Sequence, residues 1–148
     1  MADLKLIIAF PILASISLLY PSAIAAINED MVFINYHIHI VNDLPNDMPP
    51  GVPPLKIHCK SGDRDIGEMP MFPHDDYQFD TKVDWFATTL FFCSVDWLEG
   101  KQQSFDAFVA RRDEHRCRKY HNSCLWSVRE DGIYFSDDNL NWFNTYPW

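Results

Sequence analysis

Glycine is scarce, at five residues in 148, and no repeat or low-complexity tract runs through the chain. A collagen-like or wholly disordered polymer is thereby excluded. Positive charge is short as well: 12 Lys and Arg stand against 21 Asp and Glu, for a formal net charge of −9. Such a surface repels a phosphate backbone and leaves no counterion release to drive binding, so a general nucleic-acid binder is excluded too. The motifs Gly-x-Ser-x-Gly, His-Glu-x-x-His, Cys-x-x-Cys and the P-loop are all missing. The local signatures of a serine hydrolase, a zinc centre and a nucleotide cradle go with them. Beyond residue 26 no apolar repeat near 3.6 residues is found, which leaves little place for amphipathic helices.

What remains is apolar and rich in rings, 47% hydrophobic and 15% aromatic, enough for one domain around one core. Lys5 is followed by an apolar run from Leu6 to Leu19 and then by small residues around Ala23-Ile24-Ala25-Ala26. The run is shorter than the roughly 20 residues that span a bilayer and is interrupted by Pro11, so residues 1–25 are expected to be a secretory signal peptide. Cleavage is expected after Ala25, with Ala26 competing, and the mature domain, 26–148, is expected to enter no membrane.

Period-two alternation dominates the mature chain. Val32, Ile34, Tyr36, Ile38 and Ile40 share one face, as do Leu55, Ile57 and Cys59, and Thr89, Phe91, Cys93, Val95 and Trp97. Phe105, Ala107 and Val109 form a fourth run, Cys124, Trp126 and Val128 a fifth, and Asp131-Gly132 turns the chain into Ile133-Tyr134-Phe135. Weaker strands are expected at Tyr77–Phe79 and Trp142–Trp148, and five prolines make residues 42–54 a loop. The fold class expected is all-β, a small antiparallel sandwich of seven or eight strands stapled by two disulfides.

Four cysteines allow three connectivities. Parity puts Cys59, Cys93 and Cys124 on apolar faces and Cys117 in a loop, and the pairing expected is Cys59–Cys124 with Cys93–Cys117.

The ordered elements His39-Ile40-Val41-Asn42-Asp43-Leu44, Leu55-Lys56-Ile57-His58-Cys59-Lys60-Ser61, Ile66-Gly67, Thr89-Leu90-Phe91-Phe92-Cys93 and Trp97 resemble the plant self-incompatibility proteins and their S-protein homologues. Phe105-Asp106-Ala107-Phe108, Cys117, Cys124-Leu125-Trp126-Ser127-Val128, Asp131-Gly132-Ile133-Tyr134 and Tyr146-Pro147-Trp148 continue the pattern, so the resemblance covers roughly residues 32–148. It implies a secreted β-sandwich with two disulfides, and founding members that act as stigma ligands arresting incompatible pollen through a pollen-surface receptor. Two departures stand out: Arg64 interrupts a usually acidic run, and the first loop is unusually rich in proline.

His37 and His39 share a strand face and would be joined by His58 if the first two strands paired; such a trio could ligate zinc or act in acid–base work. Solvated or hydrogen-bonded histidine is the plainer expectation, and neither a metal site nor a catalytic residue is assigned. Asp63, Asp65, Asp75-Asp76 and Asp137-Asp138-Asn139 offer oxygen ligands for calcium, yet turn capping explains them without an ion. Trp97 and Trp126 are read as core, and Asn122-Ser123-Cys124 is only a rare glycosylation variant. Arg111, Arg112, Arg116, Arg118 and Lys119, against Asp113 and Glu114, give a local charge of +3 in a chain of −9. This stretch is the candidate partner-binding segment, with the Pro-rich 46–54 loop as a second contact. The function expected is that of a secreted, non-enzymatic, monomeric signalling ligand without cofactor. It would act in the apoplast on a cell-surface receptor or an acidic wall polymer. An apoplastic carbohydrate-binding protein and a small hydrolase are its rivals.

Overall fold

The computed structural model describes residues 34–47, 49–97 and 100–148. The expected signal peptide, and the start of the strand expected from Val32, lie outside the described residues. From Asn35 onward alternation makes the strands. In β1 (Asn35–Asn42) Tyr36, Ile38, Ile40 and Asn42 are at most 1% exposed, and the residues between them are half-buried. β2 (Leu55–Lys60), β4 (Asp76–Lys82) and β5 (Leu90–Trp97) alternate in the same way, each fully buried aliphatic or aromatic side chain contributing about 1.5–3 kcal/mol. The remaining strands are β3 (Asp65–Met71), β6 (Lys101–Val109), β7 (Ser123–Arg129), β8 (Gly132–Ser136) and β9 (Phe143–Pro147). β3 is the strand that the alternation did not reveal. It lies at a sheet edge with only Met71 buried, where Pro70 is tolerated because no inner ladder needs its missing N–H.

Two sheets result, in the orders β4-β1-β7-β8-β9 and β3-β2-β5-β6. They meet through Tyr36 and Phe108, Phe79 and Phe91, and Phe105 and Trp126, with ring centroids 5.3, 4.9 and 5.1 Å apart. Trp126 is fully buried and Trp97 8% exposed, as read from the sequence. The sandwich is antiparallel except at its centre, where β1 runs parallel to β7. Periodicity carries no strand direction; the direction follows from the connection after β6, a short helix α1 (Ala110–Arg116) and a 3-10 turn (Cys117–Lys119), which starts β7 beside the start of β1. Seven helical residues are too few to show a period, so from the sequence alone this stretch reads as a loop. A bulge in the β5–β6 ladder also breaks the expected parity: Phe105, Ala107 and Phe108 are all buried, while Val109 is half-exposed.

The cysteine pairing differs from the expected one. Cys59 bonds Cys93, directly opposite it on neighbouring β2 and β5 with Cα atoms 4.1 Å apart, and Cys117 bonds Cys124 across the helical connection. Parity tells which face Cys59, Cys93 and Cys124 occupy but not which strand lies beside each, and Cys117, expected in a loop, is buried in the 3-10 turn.

The registers sort the connections between the two ends of the sandwich. Residues 61–64, 83–89, 110–122 and 137–142 lie at one, the helix end; 43–47, 49–54, 72–75, 100 and 130–131 lie at the other, the proline end.

Candidate partner-binding surface

The helix end carries the basic segment, and its centre is an acid. Asp113 is fully buried; its carboxylate accepts from the backbone N–H of Val109 at 2.7 Å, from Arg112 Nε at 3.0 Å and from Arg116 Nε. The first of these bonds satisfies a free N–H at the helix start, where Val109 supplies no side-chain cap. Both guanidiniums also lie against rings. The Arg116 Cζ is 3.6 Å from the Phe135 centroid, and Arg112 and Arg116 stand 6.0 and 5.9 Å from that of Trp126. Burial pulls Arg116 below its usual pKa against the pull of Asp113 upward. The Arg116 Nη2 has no hydrogen-bond partner among the described residues, and the guanidinium lies on the ring face instead.

The five candidate cations therefore divide. Arg112 and Arg116 are built into the fold. Arg111, Arg118 and Lys119 are exposed. Arg118 Nε donates to the Tyr36 hydroxyl at 3.1 Å, which in turn donates to the Glu114 carbonyl at 2.9 Å, and Lys119 pairs with Asp137 at 2.7 Å. Arg111 has no partner among the described residues. Behind the segment, His121 and Asn122 take positive φ in a turn closed by the Ser123 N–H on the Tyr120 carbonyl, and the Asn122 carbonyl receives the His37 N–H at 2.8 Å. The segment is thus held by a disulfide, a buried acid and the first strand. From the sequence Asp113 and its two arginine partners read as surface charges; the signal that identifies them is an acid spaced to reach back to the helix start.

The proline loop lies at the opposite end. One partner touching it and the basic segment together would have to span the strands, roughly 26 Å for the eight residues of β1.

The histidines do not gather. β1 and β2 belong to different sheets, so His37 and His39 face outward on one and His58 on the other. Each meets one aspartate: His37 with Asp80 at 2.7 Å, His39 with Asp76 at 2.8 Å, His58 with Asp65 at 2.7 Å. These hydrogen bonds hold the Asp80 and Asp65 carboxyls below their usual range. The other aspartates cap turns: Asp138 accepts from the Leu140 and Asn141 N–H groups at 2.9 and 2.8 Å, which keeps its carboxyl well below the usual range, and Asp75 accepts from the Phe72 N–H. One acid-and-sulfur cluster, Asp113 with Cys117 and Cys124, has its ligand atoms within 4.8 Å of one another. Its two sulfurs are bonded to each other and its carboxylate is held by two arginines, so it is a packing feature.

Fold and surface together define a small, disulfide-linked β-sandwich that presents ordered, charged connections at one end. The chain belongs to the plant self-incompatibility protein S1 family, whose model matches residues 37–148. It is 39% identical over 94 residues to S-protein homolog 20 of Arabidopsis thaliana, covering 63% of this chain and 67% of that one. With S-protein homolog 18 of the same plant the identity is 41% over 96 residues, 65% of this chain and 69% of the relative. Self-incompatibility protein S1 of Papaver rhoeas is 33% identical over 90 residues, 60% of this chain and 63% of the relative. The alignments thus span about two thirds of these relatives' length. No solved structure matches the chain. Among the described residues no helix is long and apolar enough to cross a membrane.

Proposed function

We propose that this chain is a secreted plant signalling ligand that acts without catalysis and binds a receptor at the surface of another cell through the helix end of its sandwich. Membership of the self-incompatibility protein S1 family carries the reading. The exposed Arg111, Arg118 and Lys119 support it: they project from a segment already fixed by a disulfide and by Asp113. Cations so fixed lose less entropy on binding than cations on a mobile tail. All four cysteines are bonded, so none is a nucleophile. A pollen–pistil role requires expression in the pistil; root or leaf expression would assign the ligand to another tissue's signalling.

Labelled protein added to intact plant cells and, separately, to purified wall polysaccharides tests the reading. Saturable, salt-dependent binding to cells that exceeds binding to the polymers is expected. Replacing Arg111, Arg118 and Lys119 by Glu should weaken it at least tenfold, about 1.4 kcal/mol, and flatten its salt dependence. Arg112 and Arg116 stay in place because their loss would strand Asp113. Equal binding to the polymers alone would replace the receptor reading with that of a wall-binding protein.

A further inference from the structure

The outer face of the four-stranded sheet carries polar side chains that the fold does not use. Its residues stand in rows across the strands: Pro70, Lys56, Asp96 and Gln102 lie opposite one another from β3 to β6, and Glu68, His58, Ser94 and Ser104 form the next row. The Cys59–Cys93 bond staples the two inner strands, β2 and β5, beneath these rows. Several polar groups elsewhere are spent internally. Asp84 accepts from the Thr88 and Thr89 N–H groups, in the connection that exposes Trp85 and Phe86, and His37, His39 and His58 each hold a carboxylate. On β6 the Gln103 amide is used twice, on the Pro147 carbonyl and on the Ser104 N–H. By contrast, the side chains of Ser94, Asp96, Gln102 and Ser104 have no partner among the described residues.

These four line a depression at the proline end of the sheet. A groove of about 430 Å³, within the range of small-molecule sites, is bounded by Pro53, Pro54, Pro70, Lys56 and Gly100. A second, of about 280 Å³, holds Ser94, Gln103 and Ser104, and Asp96 and Gln102 line both. The proline-rich loop thus supplies a wall. Its rings fix φ, and the Val52 N–H closes a turn on the Pro49 carbonyl at 3.2 Å just before Pro53. A wall so fixed and a floor of stapled strands hold their shape before any ligand arrives.

Charge and chemistry set the kind of occupant. Lys56 and Asp96 are the ionised residues lining the two grooves and stand opposite each other, Lys56 pairing also with Glu68 at 3.5 Å. Lys101, beside Gln102, turns its Nζ to the Trp97 ring, 4.6 Å from the centroid. Over the whole face Asp65, Glu68, Asp96 and Asp106 stand against Lys56 and Lys60, with His58 bonded to Asp65. A polyanion is repelled by that surplus. A cationic chain needs acceptors alone, whereas two hydroxyls and a carboxamide also donate. Beside them stand apolar proline rings. A sugar ring matches both features, with hydroxyls around its rim and C–H groups on its faces.

We infer that this face binds a neutral polysaccharide chain, Asp96, Gln102, Ser94 and Ser104 meeting its hydroxyls and Pro53 and Pro70 its C–H faces. Four strands span roughly 14 Å, room for more than one ring. The site lies at the end opposite Arg111, Arg118 and Lys119 and does not depend on the receptor reading. It would hold the protein to extracellular polymer while the helix end stays free.

Affinity electrophoresis of the disulfide-bonded protein, in gels holding hydroxyethylcellulose, xyloglucan, galactomannan or polygalacturonate, tests the inference. At least one neutral polymer should retard the wild type, and polygalacturonate should not. Asp96→Ala with Gln102→Ala should weaken the retardation about tenfold. Ser94→Arg, which fills the depression without removing a bond, should do the same. All three side chains face outward, so an unchanged melting temperature and the absence of free thiols check folding. Replacing Arg111, Arg118 and Lys119 by Glu should leave the retardation unchanged, so failure of this site and failure of the receptor reading are told apart. No retardation by any neutral polymer overturns the site, as does retardation that stays within twofold of wild type in both outer-face variants. Stronger retardation by polygalacturonate than by the neutral polymers overturns the class of ligand.

Discussion

The two ends of this sandwich are fastened by different chemistry. At the proline end the connections are held by backbone hydrogen bonds, His74 N–H to the Asn42 carbonyl at 2.7 Å, Asn42 N–H to that of Asp75 at 3.0 Å and Asp43 N–H to that of Val128 at 2.9 Å, and by rings that fix φ. The buried Asn42 adds its side chain, donating to the Met71 carbonyl at 3.0 Å and accepting from Leu44 N–H at 3.1 Å. At the helix end the fasteners are carboxylates, Asp84, Asp113 and Asp138, together with the Cys117–Cys124 bond. The Asp75 carboxylate also accepts from the Phe72 N–H there, but an end held mainly by neutral backbone is expected to keep its shape over a wider pH range. One held by ionised side chains can carry surplus charge and exposed rings because its backbone needs no further support, and its order depends on pH.

The largest effect should come from reducing both disulfides. In the chain-entropy picture the Cys59–Cys93 loop, of sequence separation 34, contributes about 4 kcal/mol and the Cys117–Cys124 loop, of separation 7, about 2.4 kcal/mol. Urea unfolding with and without reductant checks the sum. The variants Cys59→Ala with Cys93→Ala, and Cys117→Ala with Cys124→Ala, check the order. A greater loss from the shorter loop would mean that the helical connection, and not the sheet, limits stability.

Next is Asp113→Ala, which removes the carboxylate shared by Arg112 and Arg116 and is expected to lower stability by about 3 kcal/mol. Urea midpoints measure it, and a change below about 0.5 kcal/mol would show that the two arginines find water as readily as the buried acid.

At the proline end the sensitive position is Gly132. Its φ is +150°, and an added Cβ would lie 2.8 Å from the Tyr146 carbonyl oxygen and 2.9 Å from Pro147 Cα. Gly132→Ala should cost about 2 kcal/mol and open the β8–β9 pair, visible as faster amide exchange at Tyr146. Replacing Asn139, which has φ 60° in the helix-end turn, by Gly should be nearly silent by the same measurement.

The smallest effect separates the ends by pH. The folded pKa of Asp84, about 2, lies below its unfolded value near 3.8, so its contribution is complete above the unfolded value and is lost as pH falls through the folded one. Amide protection at Thr88 and Thr89 should hold at pH 4 and fade toward pH 2, while Val52, bonded to the Pro49 carbonyl, keeps its exchange behaviour after correction for intrinsic rate. Parallel loss at both loops would mean global unfolding and erase the contrast.

Reading the sequence recovered whatever alternation encodes. Ile38, Ile40, Ile57, Phe91 and Val95 were placed in the core from period alone, and Trp126 with them. Alternation is silent where an edge strand exposes both faces, as in β3, where a bulge shifts parity, as at Ala107, and where helix is too short to repeat, as in α1. Neighbour relations escaped for another reason. That Cys59 faces Cys93, and that β1 lies beside β7, are facts about strand order, which one chain's periodicity does not contain. Of the candidate surface, the net positive charge of 111–119 was legible, but its division into inward and outward cations was not, because Asp113 reads as solvated until the helix brings it beneath Val109.

The parallel β1–β7 pair has a kinetic consequence. β1 is an inner strand of its sheet, yet its partners are β4, with Ile38 opposite Phe79, and β7, with His37 opposite Ser123. During vectorial synthesis this strand is made before any other described one and waits longest for its second neighbour, since one flank stays bare until β7 has emerged. Non-local pairing of this kind slows folding and prolongs the exposure of an apolar edge. The ladder closed by Ser123–Arg129 is therefore the step at which β1 loses its open flank, and a ribosome stalled before it would hold β1 with one edge unpaired.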